Sequence, residues 1–330
     1  MEVISLAERI AEDLLFPEAL ATDGAPVLPV ELLDALADAG LYGLTGPASA
    51  GGMEADFQTV CAVVEALSSG CLTTAFVWAQ HLGAVIAAAA SENAAIAEWV
   101  GPMCRGERRS GLALGGAVPG IPALRAVESS TGWIFSGTSP FVSGWGRIDV
   151  IHAAGRTGDN RLVWALVDAR ESESLSVYRL DLVALNGTNT VRVEMREHPV
   201  AAERVTSISP FREGPAPPEL LRIHASFGLG LLRRCCKLLG PTELDDEVSL
   251  LRGELDRLDP QTIEAARASV GALALQATGA LAAATGSRSL VRSDQAQRLV
   301  REALFVLVYA LRPGSRAALL AQLGARAKTI

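Results

Sequence analysis

The sequence predicts an α+β protein with a helical N-terminal part, a central all-β domain and a C-terminal helical bundle. Apolar residues recur at helical spacing before residue 110 and again after residue 217. Between them, short segments rich in Val, Ile, Trp and Thr alternate with turn residues, as in a barrel or sandwich. The 330 residues, 49% of them apolar, suit two or three domains. We place these domains at 1–110, 111–205 and 206–330.

The N-terminal part is expected to consist of helices separated by proline and glycine. An apolar stripe runs from Ile4 to Leu15, and Pro17 is expected to end that helix. Pro29 opens a helix over 30–39, which Gly40 can cap. After a Pro/Gly-rich connector, further helices are predicted over 57–67, 73–90 and 94–100.

The central domain is predicted from segments in which the residue pattern repeats every two positions. This pattern replaces the helical spacing after residues 101–102. Strands are expected at six places: 125–128, 132–136, 149–154, 162–167, 175–178 and 190–196. Residues 129–132 and 156–160 carry the turn chemistry of hairpin connections.

The C-terminal part is predicted to be helical over 217–239, 242–258, 292–311 and 315–323. A further helix is expected to start at Pro260 with Asp259 as its N-cap. Gly228 and Gly230 lie inside the first of these helices, where glycine permits close packing. The stretch 303–311 is apolar on all sides and is therefore predicted to lie at the centre of a bundle.

Composition disfavours several classes of function. The net charge of −8 argues against binding to nucleic acid or to anionic membranes. Five irregularly spaced cysteines and four scattered histidines predict neither a disulfide framework nor a metal site. The N-terminus lacks the pattern of a signal peptide, and no apolar run reaches the roughly 20 residues of a membrane helix. We therefore expect a soluble, cytoplasmic protein.

Motifs for nucleotide binding and hydrolysis are missing from the sequence. No G-x-G-x-x-G follows a predicted strand, no Walker loop occurs, and no G-x-S-x-G is present. Residue patterns alone thus lead to a fold class and not to a reaction.

Four local strings, taken in order, resemble the acyl-CoA dehydrogenase family over most of the chain. The string AGLYGL at 39–44, followed by PASAGG at 47–52, is similar to the family's N-terminal G-L-x-G-L…P…G-G. GWIFSGTSPFVS at 132–143 resembles its G-x-x-L-N-G-x-K-x-x-I-[TS] hairpin. EHPVAAE at 197–203 resembles the exit from its β domain, and RLVRE at 298–302 its R-x-x-R-D element.

The resemblance implies a helical domain, a β domain and a four-helix bundle. It also implies FAD bound at a subunit interface, an acyl-CoA-type substrate and a homodimer or homotetramer. In such enzymes a carboxylate removes the α proton of a thioester, while a hydride leaves Cβ for the flavin.

Several cofactor-binding residues are implied by the same resemblance. Ser143 corresponds to the hydroxyl that hydrogen-bonds the flavin ring, and Phe141 to the aromatic residue packed on it. Leu114 retains a position of backbone contact, whereas Gly120 replaces the serine aimed at the pyrophosphate. The family's arginine of the R-x-x-F-G string has no match between residues 240 and 259. Residues 285–289, TGSRS, match the family's G-G-x-G-Y turn in part, and there Gly286 and Arg288 are the implied cofactor contacts.

The position of the catalytic base departs from the family. An ungapped count from residues 301–302 places the family's Y-E-G-T on residues 309–312, so that Tyr309 matches but Ala310 replaces the glutamate. Both are implied substrate contacts. Some family members carry the base on the first bundle helix, where Glu219 lies within one residue of the equivalent position. A glutamate in a first helical turn also interacts favourably with the helix dipole without any catalytic role.

Three functions remain open from the sequence. The first is an FAD-dependent dehydrogenase that desaturates an acyl-CoA thioester, with Glu219 as its base. The second is a non-catalytic or half-site subunit that pairs with a catalytic homologue in a hetero-oligomer. The third is a flavin-dependent hydroxylase of the same fold, which needs no base for an α proton.

Overall fold

A computed structural model describes residues 2–324, which form a helical domain, one β-sheet and a helical bundle in chain order. The helices before the sheet are α1 (Glu2–Ile10), α2 (Phe16–Gly24), α3 (Val30–Asp38), α4 (Phe57–Gly70), α5 (Leu72–Ala89) and α6 (Ala94–Cys104). The three-part α+β fold expected from the sequence is confirmed.

The predicted helix break at Pro17 is wrong. The chain passes from α1 through a π-helical turn, Ala11–Leu15, directly into α2, where Pro17 is the second residue. Inside a continuous helix a proline lacks the N–H donor and its ring clashes with the carbonyl of the residue four positions earlier. The π turn changes the hydrogen-bond ladder just ahead of the proline, so the rod continues.

The central domain is an eight-stranded mixed sheet in the described residues. Its strands are β1 (Ser110–Ala113), β2 (Leu124–Ser129), β3 (Gly132–Val142), β4 (Val150–Arg156), β5 (Arg161–Asp168), β6 (Leu175–Arg179), β7 (Val191–Ala201) and β8 (Val205–Pro210). The strand order is β6-β7-β3-β2-β4-β5-β8, and β1 pairs in parallel with β4.

The six predicted strands and both hairpins are present, but sequence reasoning missed β1 and β8. β1 is only four residues long, too short to show an alternating pattern. β8 carries Thr, Ser and Pro among its apolar residues, so its period-two signal is weak.

The helices after the sheet are α7 (Pro218–Leu239), α8 (Glu243–Asp256), α9 (Ile263–Thr285), α10 (Gln295–Val308) and α11 (Pro313–Gln322). The expected helix start at Pro260 is wrong. Asp259 closes a turn, in which its side chain accepts a hydrogen bond from the Gln261 amide and its carbonyl oxygen accepts one from the Ile263 amide. Helix α9 begins after this turn, at Ile263.

The expectation that 303–311 is buried on all sides is also wrong. Ala303 and Val306 are buried, but Leu304 is 43% and Val308 57% exposed. The apolar run is longer than the buried face because α10 packs mainly on α9 and α7, and the side that carries Leu304 and Val308 faces solvent. The helix also ends at Val308, since the next residue, Tyr309, has extended backbone angles.

The helices α5 and α9 are long and apolar enough to cross a membrane by length and composition alone. Helix α5 lies mostly inside the fold, with two thirds of its residues buried. Its apolar character therefore serves the core, where it contacts the N-terminal helices, the sheet and α7.

Candidate functional site

The first part of the site lies along β3 and the neighbouring β1. Phe141 and Ser143 lie at the end of β3, and Leu114 directly follows β1. The start of β1 approaches the end of β3, since a Cβ added to Gly111 would lie 3.1 Å from the Ser143 carbonyl oxygen. The segment after β1 also lies against β3, because a Cβ added to Gly115 would meet the Thr138 carbonyl oxygen.

Phe141 is presented to solvent by an irregular backbone. The register between β3 and β7 shifts between Ser139 and Val142, and Phe141 has a φ of 62° with 67% of its surface exposed. A left-handed conformation costs a residue with a Cβ about 1–2 kcal/mol. Strained residues of this kind cluster at ligand sites. An exposed aromatic ring held at such a cost is suited to receive a planar ligand.

Ser143 is buried and belongs to a relay of hydroxyl groups. Its Oγ lies 2.7 Å from the Oγ1 of Thr190, which lies 2.7 Å from the Oγ1 of Thr188. The Thr188 hydroxyl donates its only proton to the Leu185 carbonyl oxygen, 2.7 Å away. Thr190 must therefore donate to Thr188, and Ser143 to Thr190. Ser143 is left with free lone pairs, so towards a ligand it acts as an acceptor.

The second part of the site is an aromatic cluster around Tyr309. Its ring stacks on Phe305 with centroids 4.9 Å apart, and it meets Phe76 and Phe227 edge to face at 5.0 and 5.8 Å. His224 lies at 5.0 Å. Burial raises the pKa of Tyr309 to about 12, so its phenol stays protonated at neutral pH.

The charged group beside Tyr309 is a buried arginine. Arg267, on α9, donates to the carbonyl oxygens of Val306 and Tyr309 at 2.9 and 3.2 Å, where α10 ends. Burial lowers its pKa to about 10, which leaves it charged. Burial also lowers the pKa of His224 to about 3, with smaller effects from Arg267 and Arg312, so this imidazole is neutral. Within residues 2–324, no carboxylate hydrogen-bonds to Tyr309, His224 or Arg267.

Helix α5 joins the two parts of the site. A Cβ at Gly144, next to Ser143, would lie 3.0 Å from a methyl group of Val77. The neighbouring Phe76 packs on Tyr309. Helix α5 thus lies between the end of β3 and the Tyr309 cluster, and its side chains lie against both.

Of the remaining predicted residues, Ala310 borders the Tyr309 cluster and the others lie away from it. Ala310 follows Tyr309 with a φ of 49° and is exposed. Glu219 is exposed in the first turn of α7. It precedes His224 by five residues, which turns it about 140° around the helix from the face that meets Tyr309.

Gly286 and Arg288 lie beyond the C-terminal end of α9, and Arg288 is exposed with an ion pair to Asp294 at 3.2 Å. The position of Gly286 is about 28 Å along the helix from Arg267, by the rise of 1.5 Å per residue. This chain therefore does not bring Gly286 and Arg288 to the Tyr309 cluster.

Sequence reasoning missed several residues that build the site. The sequence predicts Thr190 only as part of a strand, and Arg267 and His224 belong to no motif. An arginine inside a run of small apolar residues was the available signal for Arg267, since an arginine is almost never buried without a partner.

The comparisons with known proteins agree with this architecture. Residues 2–107 match the family model described as acyl-CoA dehydrogenase, N-terminal domain. A comparison with curated proteins finds no match.

Solved structures match over nearly the whole chain at low identity. Glutaryl-CoA dehydrogenase from Mycobacterium smegmatis is 16% identical with a TM-score of 0.82, covering 99% of this chain and 95% of that one. FMN-bound TdsC from Paenibacillus sp. A11-2 is 16% identical with a TM-score of 0.80, covering 100% and 99%. Butyryl-CoA dehydrogenase from Megasphaera elsdenii is 15% identical with a TM-score of 0.77, covering 98% and 97%.

Proposed function

We propose that this chain is an acyl-CoA dehydrogenase family member that binds a flavin and lacks its own catalytic base, because residues 2–107 match the family's N-terminal domain model and the fold matches that of a solved dehydrogenase. FAD is the flavin that the family resemblance implies. In this proposal the chain contributes the surface for the flavin ring, and a second, catalytic family member contributes the base.

The ring end of a flavin fits the residues present. Phe141 offers an exposed aromatic face, and Ser143 offers an oriented acceptor for a ring N–H. The phosphate end fits less well, because the Gly120 amide already donates to a carboxylate of the chain. When bound, the flavin supplies a hydride acceptor.

The observation that carries the proposal is the surroundings of Ala310. Desaturation requires a group that accepts the α proton of the thioester, and a methyl side chain cannot do so. The nearby His224 has a pKa of about 3, too low for a base that must hold a proton near neutral pH. Arg267 is a cation, and Tyr309 is a neutral phenol. Among residues 2–324, none of the groups assessed around Tyr309 is therefore suited to accept the α proton.

The test is an anaerobic titration with acyl-CoA of the flavin-loaded chain, alone and co-expressed with a family homologue that carries a glutamate at the base position. We expect no bleaching of the flavin absorbance with the chain alone. Bleaching is expected only with the homologue, which should co-purify. Replacement of the homologue's glutamate by glutamine should abolish the bleaching, whereas Glu219→Gln in this chain should leave the bleaching unchanged.

The competing function is a self-sufficient dehydrogenase in which Glu219 is the base. Its position in the first turn of α7 is the feature in its favour. If the isolated chain bleaches with acyl-CoA and Glu219→Gln prevents this, the half-site proposal is wrong. Oxygen consumption by the reduced-flavin form with an aromatic substrate, and no reaction with acyl-CoA in either preparation, would instead support the hydroxylase.

A further inference from the structure

The loop after β1 holds a feature that the flavin proposal does not explain. The amide of Gly120 donates a hydrogen bond of 2.6 Å to Oε1 of Glu213. By the family resemblance, Gly120 stands where the family has a serine directed at the flavin pyrophosphate. The chain's own carboxylate thus lies on the N–H group at the position where the resemblance implies a phosphate.

The loop that carries Gly120 is held by a buried arginine. Arg156, at the end of β4, donates to the carbonyl oxygens of Gly116 and Gly120 at 2.8 and 2.9 Å, and also to that of Val118. Gly120 itself has a φ of 74°, the left-handed conformation that favours glycine. With three carbonyl groups turned towards Arg156, the shape of the loop is fixed, and so is the direction of the Gly120 amide.

The segment that carries Glu213 is anchored to the same arginine. The Phe211 ring covers the Arg156 guanidinium with 3.6 Å between its centre and the Arg156 Cζ. The Phe211 amide donates to the Asn160 carbonyl oxygen at 2.9 Å. Glu213 follows two residues later, so an ordered contact brings its carboxylate to Gly120.

We propose that Glu213 occupies the phosphate position of this loop and that a phosphate-bearing ligand must displace it. The inference rests on the proposed flavin function for the identity of the ligand. Turns that present backbone N–H groups bind carboxylates and phosphates by the same hydrogen bond and charge attraction. Glu213 is therefore a specificity-determining residue that weakens binding of phosphate-bearing flavins and leaves the flavin ring unaffected.

The magnitude follows from the repulsion between a displaced carboxylate and a phosphate. Two unit charges 4 Å apart in water repel by about 1 kcal/mol, which corresponds to about a fivefold change in affinity. We expect Glu213→Gln to bind FAD and FMN about fivefold more tightly than the wild type, with riboflavin affinity changed less than about twofold, since riboflavin has no phosphate. The gain should shrink as salt rises, because salt screens exposed charges.

The experiment measures dissociation constants of FAD, FMN, riboflavin and inorganic pyrophosphate for the full chain by calorimetry and flavin fluorescence. Glu213→Gln removes the charge but keeps an acceptor, and Glu213→Ala frees the amide. Glu203→Gln, an exposed carboxylate at the opposite end of β8, is the charge-matched control and should change nothing.

Tighter binding of the phosphate ligands to both Glu213 variants, without a change for riboflavin, supports the inference. Unchanged FAD and pyrophosphate affinities, or an equal gain for riboflavin, would overturn it. If no preparation binds riboflavin, FMN or FAD, the flavin function is wrong. The pyrophosphate measurement then decides the role of Glu213 by itself.

Discussion

The close approach of α4 and α7 depends on Gly230. A Cβ at this position would lie 2.5 Å from the Glu65 carbonyl oxygen, 2.5 Å from the Ser68 Cβ and 3.0 Å from the Ser69 amide nitrogen. Two of these atoms belong to the backbone of α4 and cannot rotate away. Gly230→Ala therefore requires the two helices to separate.

We expect Gly230→Ala to lower the free energy of unfolding by about 2 kcal/mol. Overlap with backbone atoms costs about 3 kcal/mol, the upper end of the range for overpacking, whereas alanine gains about 1 kcal/mol in helix propensity. Urea denaturation followed by circular dichroism measures the difference. Gly279→Ala is the matched control, because Gly279 lies inside α9 with no atom within 4 Å of an added Cβ. It should stabilise the protein by about 1 kcal/mol.

A Gly230→Ala protein as stable as the wild type would refute the reasoning. It would mean that α4 and α7 are not held together as closely as the structure shows. A loss of stability in Gly279→Ala would show instead that an added methyl group is harmful in any of these helices.

Two further predictions concern buried ionisable groups. Arg298 and Glu302 form an ion pair with each side chain only 1% exposed. Arg298→Met alone should therefore lower the free energy of unfolding by about 3–5 kcal/mol in urea denaturation, because it leaves Glu302 buried without its partner, and adding Glu302→Leu should restore most of that stability. Equal stability of the single and double variants would contradict this. Burial lowers the pKa of His81 and His152 from 6.5 to about 4. The unfolded chain therefore takes up protons first, and stability should fall as the pH drops from about 6.5 to about 4. In NMR titrations their ring signals should stay constant above pH 5, and a midpoint near 6.5 would contradict the burial.

Much of the fold was predictable from the sequence because its signals are local. Period-two segments, capping residues and glycine-rich connectors each act within a few residues. The break expected at Pro17 failed because a π turn upstream changed the hydrogen bonding that the proline would have interrupted. The prediction that the apolar run of α10 is buried on all sides was wrong for another reason. Composition shows which residues can be buried, but the positions of the neighbouring helices determine which face of α10 is covered.

The candidate site was predictable only where a motif existed. The hairpin string at 132–143 predicted Ser143 and Phe141 as flavin contacts, and in the structure both lie at the end of β3. The orientation of the Ser143 hydroxyl depends on Thr190 and Thr188, which lie more than 40 residues away in the chain. The Gly120–Glu213 contact likewise joins residues 93 positions apart. Contacts of that kind arise from the tertiary fold and leave no local pattern.

The most direct test of the proposed function is the visible spectrum of the isolated chain with bound flavin, before and after anaerobic addition of an acyl-CoA. The half-site proposal predicts a flavin absorbance near 450 nm, the usual region for a bound oxidised flavin, that persists after the addition. Loss of that absorbance with the chain alone would contradict the proposal, because Ala310 leaves the site without its base.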